Sequence, residues 1–149
     1  MSRTNLTYAI FIILLIQIHS LAQDKRFTHG AENGYMWIDF EKYSIMRDMK
    51  YDYLSSMLER QRILNLFQLQ NDSLGCKEEI KTLLKADEQN QIDLSLMVKQ
   101  IDMFYSSEKL RIIPIVFAYC YCVKEMAGKS EKELNEYLIS IMKFSESEQ

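Results

Sequence analysis

The hydrophobic residues of this chain recur at intervals of three and four, the spacing that aligns them along one face of an α-helix. The clearest stripe covers residues 93–105 and begins after Asp93, a residue type that often caps helix N-termini. Its members are Leu94, Met97, Val98, Ile101, Phe104 and Tyr105. Residues 114–126 are instead apolar on almost every side. A helix without a polar face must be enclosed by other elements, so the pattern predicts that this second helix lies at the centre of the fold.

A longer amphipathic pattern covers residues 39–69. Asp39 is its expected N-cap, and neither Gly nor Pro interrupts it. One continuous helix is therefore favoured over the alternative of two helices with a bend near Ser55 and Ser56.

Two shorter helices complete the prediction. One covers residues 76–86, and the other begins where Ser130 and Glu133 have the spacing of a capping box. Gly128 is expected to close the end of the preceding helix in the left-handed conformation. The predicted fold class is all-α, a single compact bundle of about five helices around a central apolar helix at about 114–126.

The start of the chain has the pattern of an export signal. Arg3 precedes an apolar run at residues 8–18, and small residues stand at Ser20 and Ala22. The alternative is a membrane anchor, but a run of about 11 residues is too short to cross a bilayer, which needs about 20. Residues 1–22 are therefore expected to be a signal peptide that is removed. The expected location is the periplasm or the extracellular space, without stable membrane insertion after cleavage.

The rest of the chain is expected to form one domain. Loss of residues 1–22 removes Arg3 and no acidic residue, so the formal net charge changes from −3 to −4. The predicted organisation is an irregular lead-in at 23–36, a helical domain at 37–144 and a frayed tail at 145–149.

Charge and composition narrow the class of partner. Charged residues make up 26% of the chain, the pI is near 5.5 and no cluster of Lys and Arg is present. Nucleic-acid-binding domains carry a basic patch or stripe, so no nucleic acid partner is expected. No cofactor is expected either, because no phosphate-binding glycine loop occurs.

The three cysteines all lie in the part that would be exported. In an oxidising compartment a disulfide is expected to form, and Cys76 could pair with Cys120 or with Cys122. Buried free thiols are the alternative. Beyond residue 22 the only histidine is His29 and no C-x-x-C occurs, so no metal site is expected.

Motifs of nucleophilic catalysis are also missing from the sequence, so no catalytic residue is assigned. Asp48 and Asp52 stand four residues apart and could work as paired carboxylates on one helical face. The simpler interpretation is that Asp48 and Asp52 lie on a solvated acidic face of the helix and have no catalytic role. A small hydrolase, or a carrier of a small ligand in an enclosed pocket, is kept as the alternative function on the basis of this pair.

Aromatic residues are concentrated early in the predicted helical domain: Tyr35, Trp37, Tyr43 and Tyr51. Tyrosine and tryptophan are enriched in protein interfaces, and these four are the candidate partner-binding residues. The alternative is ordinary packing with the hydroxyl groups at the rim of the core.

Two segments resemble a known group of proteins. Asn33, Gly34 and Trp37 form an N-G-x-x-W opening, and residues 104–118 contain F-Y-S followed by R-x-I-P-I-x-x-A. Both resemble small exported bacterial proteins of unknown function. That resemblance implies a helical fold and a signal peptide, and no established activity. The group often has Asn where this chain has Leu110, and glycines in the first helix where this chain has none.

A looser similarity, in the alternation of short helices with cysteines, is to helical immunity proteins of type VI secretion. The function expected from the sequence is that of an exported, non-enzymatic helical module that binds another protein. An immunity factor or an envelope accessory factor would fit that description.

Overall fold

The computed structural model describes residues 24–43, 48–66, 75–86 and 92–147. Within these ranges there are six α-helices: α1 Gly34–Tyr43, α2 Met49–Leu66, α3 Lys77–Ala86, α4 Leu94–Tyr105, α5 Ile115–Met126 and α6 Glu131–Glu146. A short antiparallel hairpin, β1 Phe27–Thr28 and β2 Ala31–Glu32, precedes α1, and a 3₁₀ turn, Glu108–Leu110, lies between α4 and α5. The predicted signal peptide, residues 1–22, lies outside the described residues.

The all-α prediction is confirmed, and α5 is the centre of the bundle. Helix α5 packs against α3, α4 and α6, while α1 contacts α2 and α2 contacts α4. Its fully buried side chains are Ile115, Ala118, Tyr119, Cys120, Cys122 and Val123. A helix that is apolar on nearly every side is stable in water only when its neighbours cover it, and here three helices do so.

The predicted single helix at 39–69 is wrong. Asp48 is not helical, and the chain forms α1 before it and α2 after it. Asp39 lies inside α1 and does not cap it. The cap of α2 is Asp48, whose Oδ1 accepts a hydrogen bond from the backbone N–H of Tyr51 at 3.0 Å. An aspartate that bonds the backbone this way starts a new helix and ends the continuity of the pattern.

Both ends of the domain are also more ordered than expected. The lead-in at 23–36 holds the β-hairpin and the start of α1. Its turn uses positive φ at His29 (49°) and Gly30 (74°). The tail at 145–149 was expected to fray, but α6 continues to Glu146, and the buried Ser145 donates a hydrogen bond from Oγ to the Ile141 carbonyl.

The other helix ends follow the sequence signals. Asp93 caps α4 by accepting from the N–H groups of Ser95 and Leu96. Ser130 and Glu133 form both hydrogen bonds of the capping box of α6. Those bonds, chiefly from the Ser130 side chain, lower the pKa of Glu133 to about 2.

A disulfide between Cys76 and Cys120 joins the start of α3 to α5, with 5.6 Å between the two Cα atoms. Cys122 is a buried free thiol. Burial raises the pKa of Cys122 to about 12, so this thiol stays protonated and unreactive near neutral pH. Among the described residues, no helix is both long and apolar enough to span a membrane.

Two buried tyrosines differ in how their hydroxyl groups are accommodated. The Tyr105 hydroxyl donates to the Ile113 carbonyl at 2.8 Å. The Tyr119 hydroxyl is buried and has no hydrogen-bond partner among the described residues. An unsatisfied buried polar group carries its full desolvation cost. The two side chains therefore have opposite consequences when the hydroxyl is removed.

We expect Tyr105→Phe to destabilise the protein by about 1–3 kcal/mol, because the Ile113 carbonyl loses its donor. Tyr119→Phe is expected to be neutral or stabilising. Urea unfolding of both variants beside the wild-type protein checks this. Equal losses of stability in the two variants would contradict it.

Candidate binding surface around Lys50

The two segments that carry the resemblance meet at one junction. Asn33 is buried, and its amide donates to the Lys25 carbonyl at 2.8 Å and to Thr28 Oγ1 at 2.9 Å. The N–H of Gly34 donates to the Arg111 carbonyl at 2.9 Å. Asn33 also forms an isolated bridge with Pro114. These residues hold the hairpin and α1 against the segment that connects α4 to α5. Their role in this structure is therefore to position secondary-structure elements.

Trp37 is fully buried, which differs from the expectation that it contacts a partner directly. Its Nε1–H donates to Asp102 Oδ1 at 2.8 Å. Its ring lies edge-on to Phe40 and Tyr53, with centroid distances of 6.2 and 6.5 Å. Trp37 therefore anchors α1 to α4.

Lys50 is the most unusual charged residue of this region, because its side chain is buried between α1, α2 and α4. The Nζ atom lies 2.6 Å from Glu41 Oε1 and 2.6 Å from Asp102 Oδ1. It also lies 5.4 Å from the centroid of the Trp37 ring, a cation–π contact. Glu41, Lys50 and Asp102 are called the ion cluster below.

The charge of Lys50 is maintained despite its burial. Burial acts to lower the pKa of Lys50, but the hydrogen bonds to Asp102 and Glu41 outweigh it and the pKa is raised overall. Lys50 is thus an ammonium ion at neutral pH. With two carboxylates and one ammonium, the ion cluster has one negative charge in excess.

Within the described part of the chain, hydrogen bonds reach one oxygen of each carboxylate in the ion cluster. Lys50 and Trp37 both donate to Oδ1 of Asp102, and Lys50 donates to Oε1 of Glu41. Among the described residues, Asp102 Oδ2 and Glu41 Oε2 have no hydrogen-bond partner. Both side chains are open to solvent, and that of Glu41 is 65% exposed.

Three large exposed hydrophobic side chains lie on the helices that carry the ion cluster. Tyr43, which is 66% exposed, follows Glu41 by two residues, Tyr51 follows Lys50, and Met103 follows Asp102. We call Tyr43, Tyr51 and Met103 the Tyr43 surface. Two of its members were predicted from the sequence, and Met103 was not.

The remaining predicted site residues lie elsewhere or have structural roles. Tyr35 is half-buried, with Lys25 Nζ 4.9 Å from its ring centroid. Asp48 caps α2, and Asp52 is half-buried in the first turn of the same helix. Within the described ranges, no group of three or more His, Cys, Asp or Glu side chains could hold a metal ion.

Comparisons of the chain with protein-family models, with curated proteins and with solved structures give no match.

Proposed function

We propose that this protein is an exported, non-enzymatic module that binds another protein through the Tyr43 surface. The observation that carries the proposal is the exposure of three large hydrophobic side chains, Tyr43, Tyr51 and Met103, on the three helices that the ion cluster joins. Aromatic residues and methionine are enriched in protein interfaces.

The order of the ion cluster favours recognition. Lys50 and Trp37 hold Glu41 and Asp102 in place through short hydrogen bonds. A surface that is already ordered loses less conformational entropy when a partner binds. A partner would thus meet charged groups that are already fixed in place.

Export is part of the same proposal. The first 22 residues have the features of a cleaved signal peptide. The Cys76–Cys120 disulfide fits an oxidising compartment such as the periplasm or the extracellular space. An immunity or envelope accessory factor would act there by contact with another protein.

Site-specific photocrosslinking tests the proposal. A p-benzoylphenylalanine residue replaces Tyr43 in one variant, Tyr51 in a second and Ile139 in a third, each expressed in the native cell and irradiated. Ile139 is the matched control, because it is 68% exposed and lies on α6. We expect an adduct of the same mass from positions 43 and 51 and none from position 139.

Mass spectrometry of the same purified protein checks export, since the exported chain is expected to begin at Gln23. An adduct of equal yield at position 139, or no adduct at positions 43 and 51, would contradict the proposed surface. A chain that retains residues 1–22 would contradict cleavage.

A further inference from the structure

Helix α3 is attached to the bundle mainly through the residues at its start. Cys76, directly before the helix, is buried, and so is Glu79 in its first turn. The apolar side chains of Ile80 and Leu83 pack against the core but are only partly buried. Among the side chains described at 75–83, Cys76 is the one that belongs to the buried apolar core. The position of α3 therefore depends more on specific bonds than on a buried apolar face.

These specific bonds connect α3 to α5 and to the connection that follows α5. The Cys76–Cys120 disulfide is the covalent one. Glu79 Oε1 lies 3.2 Å from Lys124 Nζ and 3.4 Å from Lys129 Nζ. A largely buried ion pair adds little net stability, because the loss of hydration offsets the attraction between the charges. The disulfide is therefore the bond that decides whether α3 stays on α5.

We infer that the Cys76–Cys120 disulfide is a redox switch for α3: the helix is docked on α5 while the disulfide is intact and leaves α5 when a dithiol reduces it, while the rest of the bundle keeps its packing. This inference goes beyond the proposed function and does not depend on the Tyr43 surface. Disulfides persist in oxidising compartments and are reduced in the cytosol. The position of α3 would thus follow the compartment in which the protein is found.

The rest of the bundle has a core of its own. Helix α5 packs against α4 and α6 as well as α3, and α2 packs against both α1 and α4. Each of these five helices contributes buried apolar side chains, for example Trp37, Leu54, Ile101, Ile115 and Ile141. Helix α3 has 10 residues, and a helix of that length is marginal in water without tertiary contacts. Undocking is therefore expected to unfold α3 and to spare the other helices.

The chemical step is an exchange between the disulfide and the dithiol. A thiolate of the dithiol attacks one sulfur atom of the Cys76–Cys120 bond, and the other cysteine leaves as a thiolate and takes up a proton. The second thiol of the reagent then displaces the first cysteine and closes a disulfide within the reagent. Two electrons and two protons thus pass from the dithiol to the two cysteines.

Cys122 takes no part in this exchange. Burial raises its pKa to about 12, so its thiol is not the thiolate that attacks disulfides. Two residues along an α-helix also correspond to a rotation of about 200°, so Cys122 points away from the side of α5 that carries Cys120.

The expected change in the docking equilibrium is moderate. Helices α2 and α4 lie before and after α3 in the chain and tether it from both sides even without the disulfide. Reduction therefore releases less chain entropy than it would in an unfolded protein. The lower part of the range for disulfides applies, roughly tenfold to a hundredfold.

Dithiothreitol is the test dithiol, applied to the purified protein until mass spectrometry shows complete reduction. Iodoacetamide without denaturant then labels accessible thiols, and hydrogen exchange measured by mass spectrometry reports the protection of each helix. We expect label on Cys76 and Cys120 and none on Cys122. Exchange in α3 is expected to rise at least about tenfold, while exchange in α4 stays unchanged.

Two variants separate the switch from other effects of the reagent. Cys76→Ala produces the reduced form without dithiothreitol, because Cys120 and Cys122 point apart on one helix and cannot pair. Cys122→Ala is the matched control, since it removes a cysteine of the same helix and keeps the disulfide. We expect fast exchange of α3 in Cys76→Ala with or without dithiothreitol. Cys122→Ala is expected to respond to dithiothreitol as the parent does.

Equal exchange of α3 in the oxidised and the reduced protein would overturn the inference, because α3 would then dock without the disulfide. Loss of protection in α3 and α4 together, with label on Cys122, would overturn it as well, since the disulfide would then hold the whole bundle. Neither result changes the crosslinking expected at Tyr43, so the proposed function fails or stands separately.

Discussion

Replacing Ala118 by aspartate is expected to abolish folding. Ala118 is fully buried in α5, which is enclosed by α3, α4 and α6. A carboxylate there would lose its hydration, at an effective cost of several kcal/mol even after the surroundings relax. The added atoms would also overpack a filled core, which costs about 1–3 kcal/mol. Since small domains are stable by only about 5–15 kcal/mol, little soluble protein is expected.

Soluble yield and urea unfolding measure this effect. Ser140→Asp is the control, because Ser140 is exposed on α6 and the same charge there is solvated. An Ala118→Asp variant as stable as Ser140→Asp would show that α5 is not the centre of the fold.

Gly34→Ala is expected to cause the second largest loss of stability. A Cβ atom at Gly34 would lie 2.5 Å from Cε1 of Tyr105 and 2.7 Å from the Cα atom of Arg111. Neither neighbour can move easily, because the Tyr105 ring is fully buried and tied to the Ile113 carbonyl, and the Arg111 atom belongs to the backbone. The expected loss is about 3 kcal/mol, at the upper end of the range for overpacked sites.

The direction in which Gly34→Ala changes the stability of the protein makes this test informative. Alanine is a better helix former than glycine, so at an open site in α1 the same substitution would stabilise the protein. Gly128→Ala is the control: no atom lies within 4 Å of its Cβ position, and its φ of +77° accounts for a cost of about 1–2 kcal/mol. Thermal or urea unfolding that finds Gly34→Ala no worse than Gly128→Ala would contradict the steric argument.

The bundle could be predicted from the sequence where local signals and burial agree. Helix α4 begins at its predicted Asp93 cap, and α5 is central because its own residues leave it no polar face. The break between α1 and α2 could not be predicted in the same way. Two aspartates, a residue type that commonly caps helices, stand close together in one amphipathic pattern at Asp39 and Asp48. Periodicity alone does not say which of them starts a helix.

The candidate site was only half predictable for a different reason. Tyr43 and Tyr51 were identified by residue type, which suffices for exposed aromatic groups. The role of Lys50 depends on Glu41, 9 positions away, and on Asp102, 52 positions away. Lys50 lies four residues before the buried Leu54, and a lysine in the apolar stripe of a helix was the one signal of this cluster in the sequence. The packing of the helices decides which acidic side chains neutralise Lys50.

The contacts of the β-hairpin affect the order in which parts of the domain fold. His29 in its turn donates from Nε2 to the Phe144 carbonyl, 115 positions further along, and its ring lies 4.3 Å from that of Phe144. Thr28 likewise depends on the Ile112 carbonyl, 84 positions away. Contacts this distant in the chain form only after a large loop has closed. The first part of the domain along the chain is therefore among the last to be secured, and it remains open to proteases until α6 is in place.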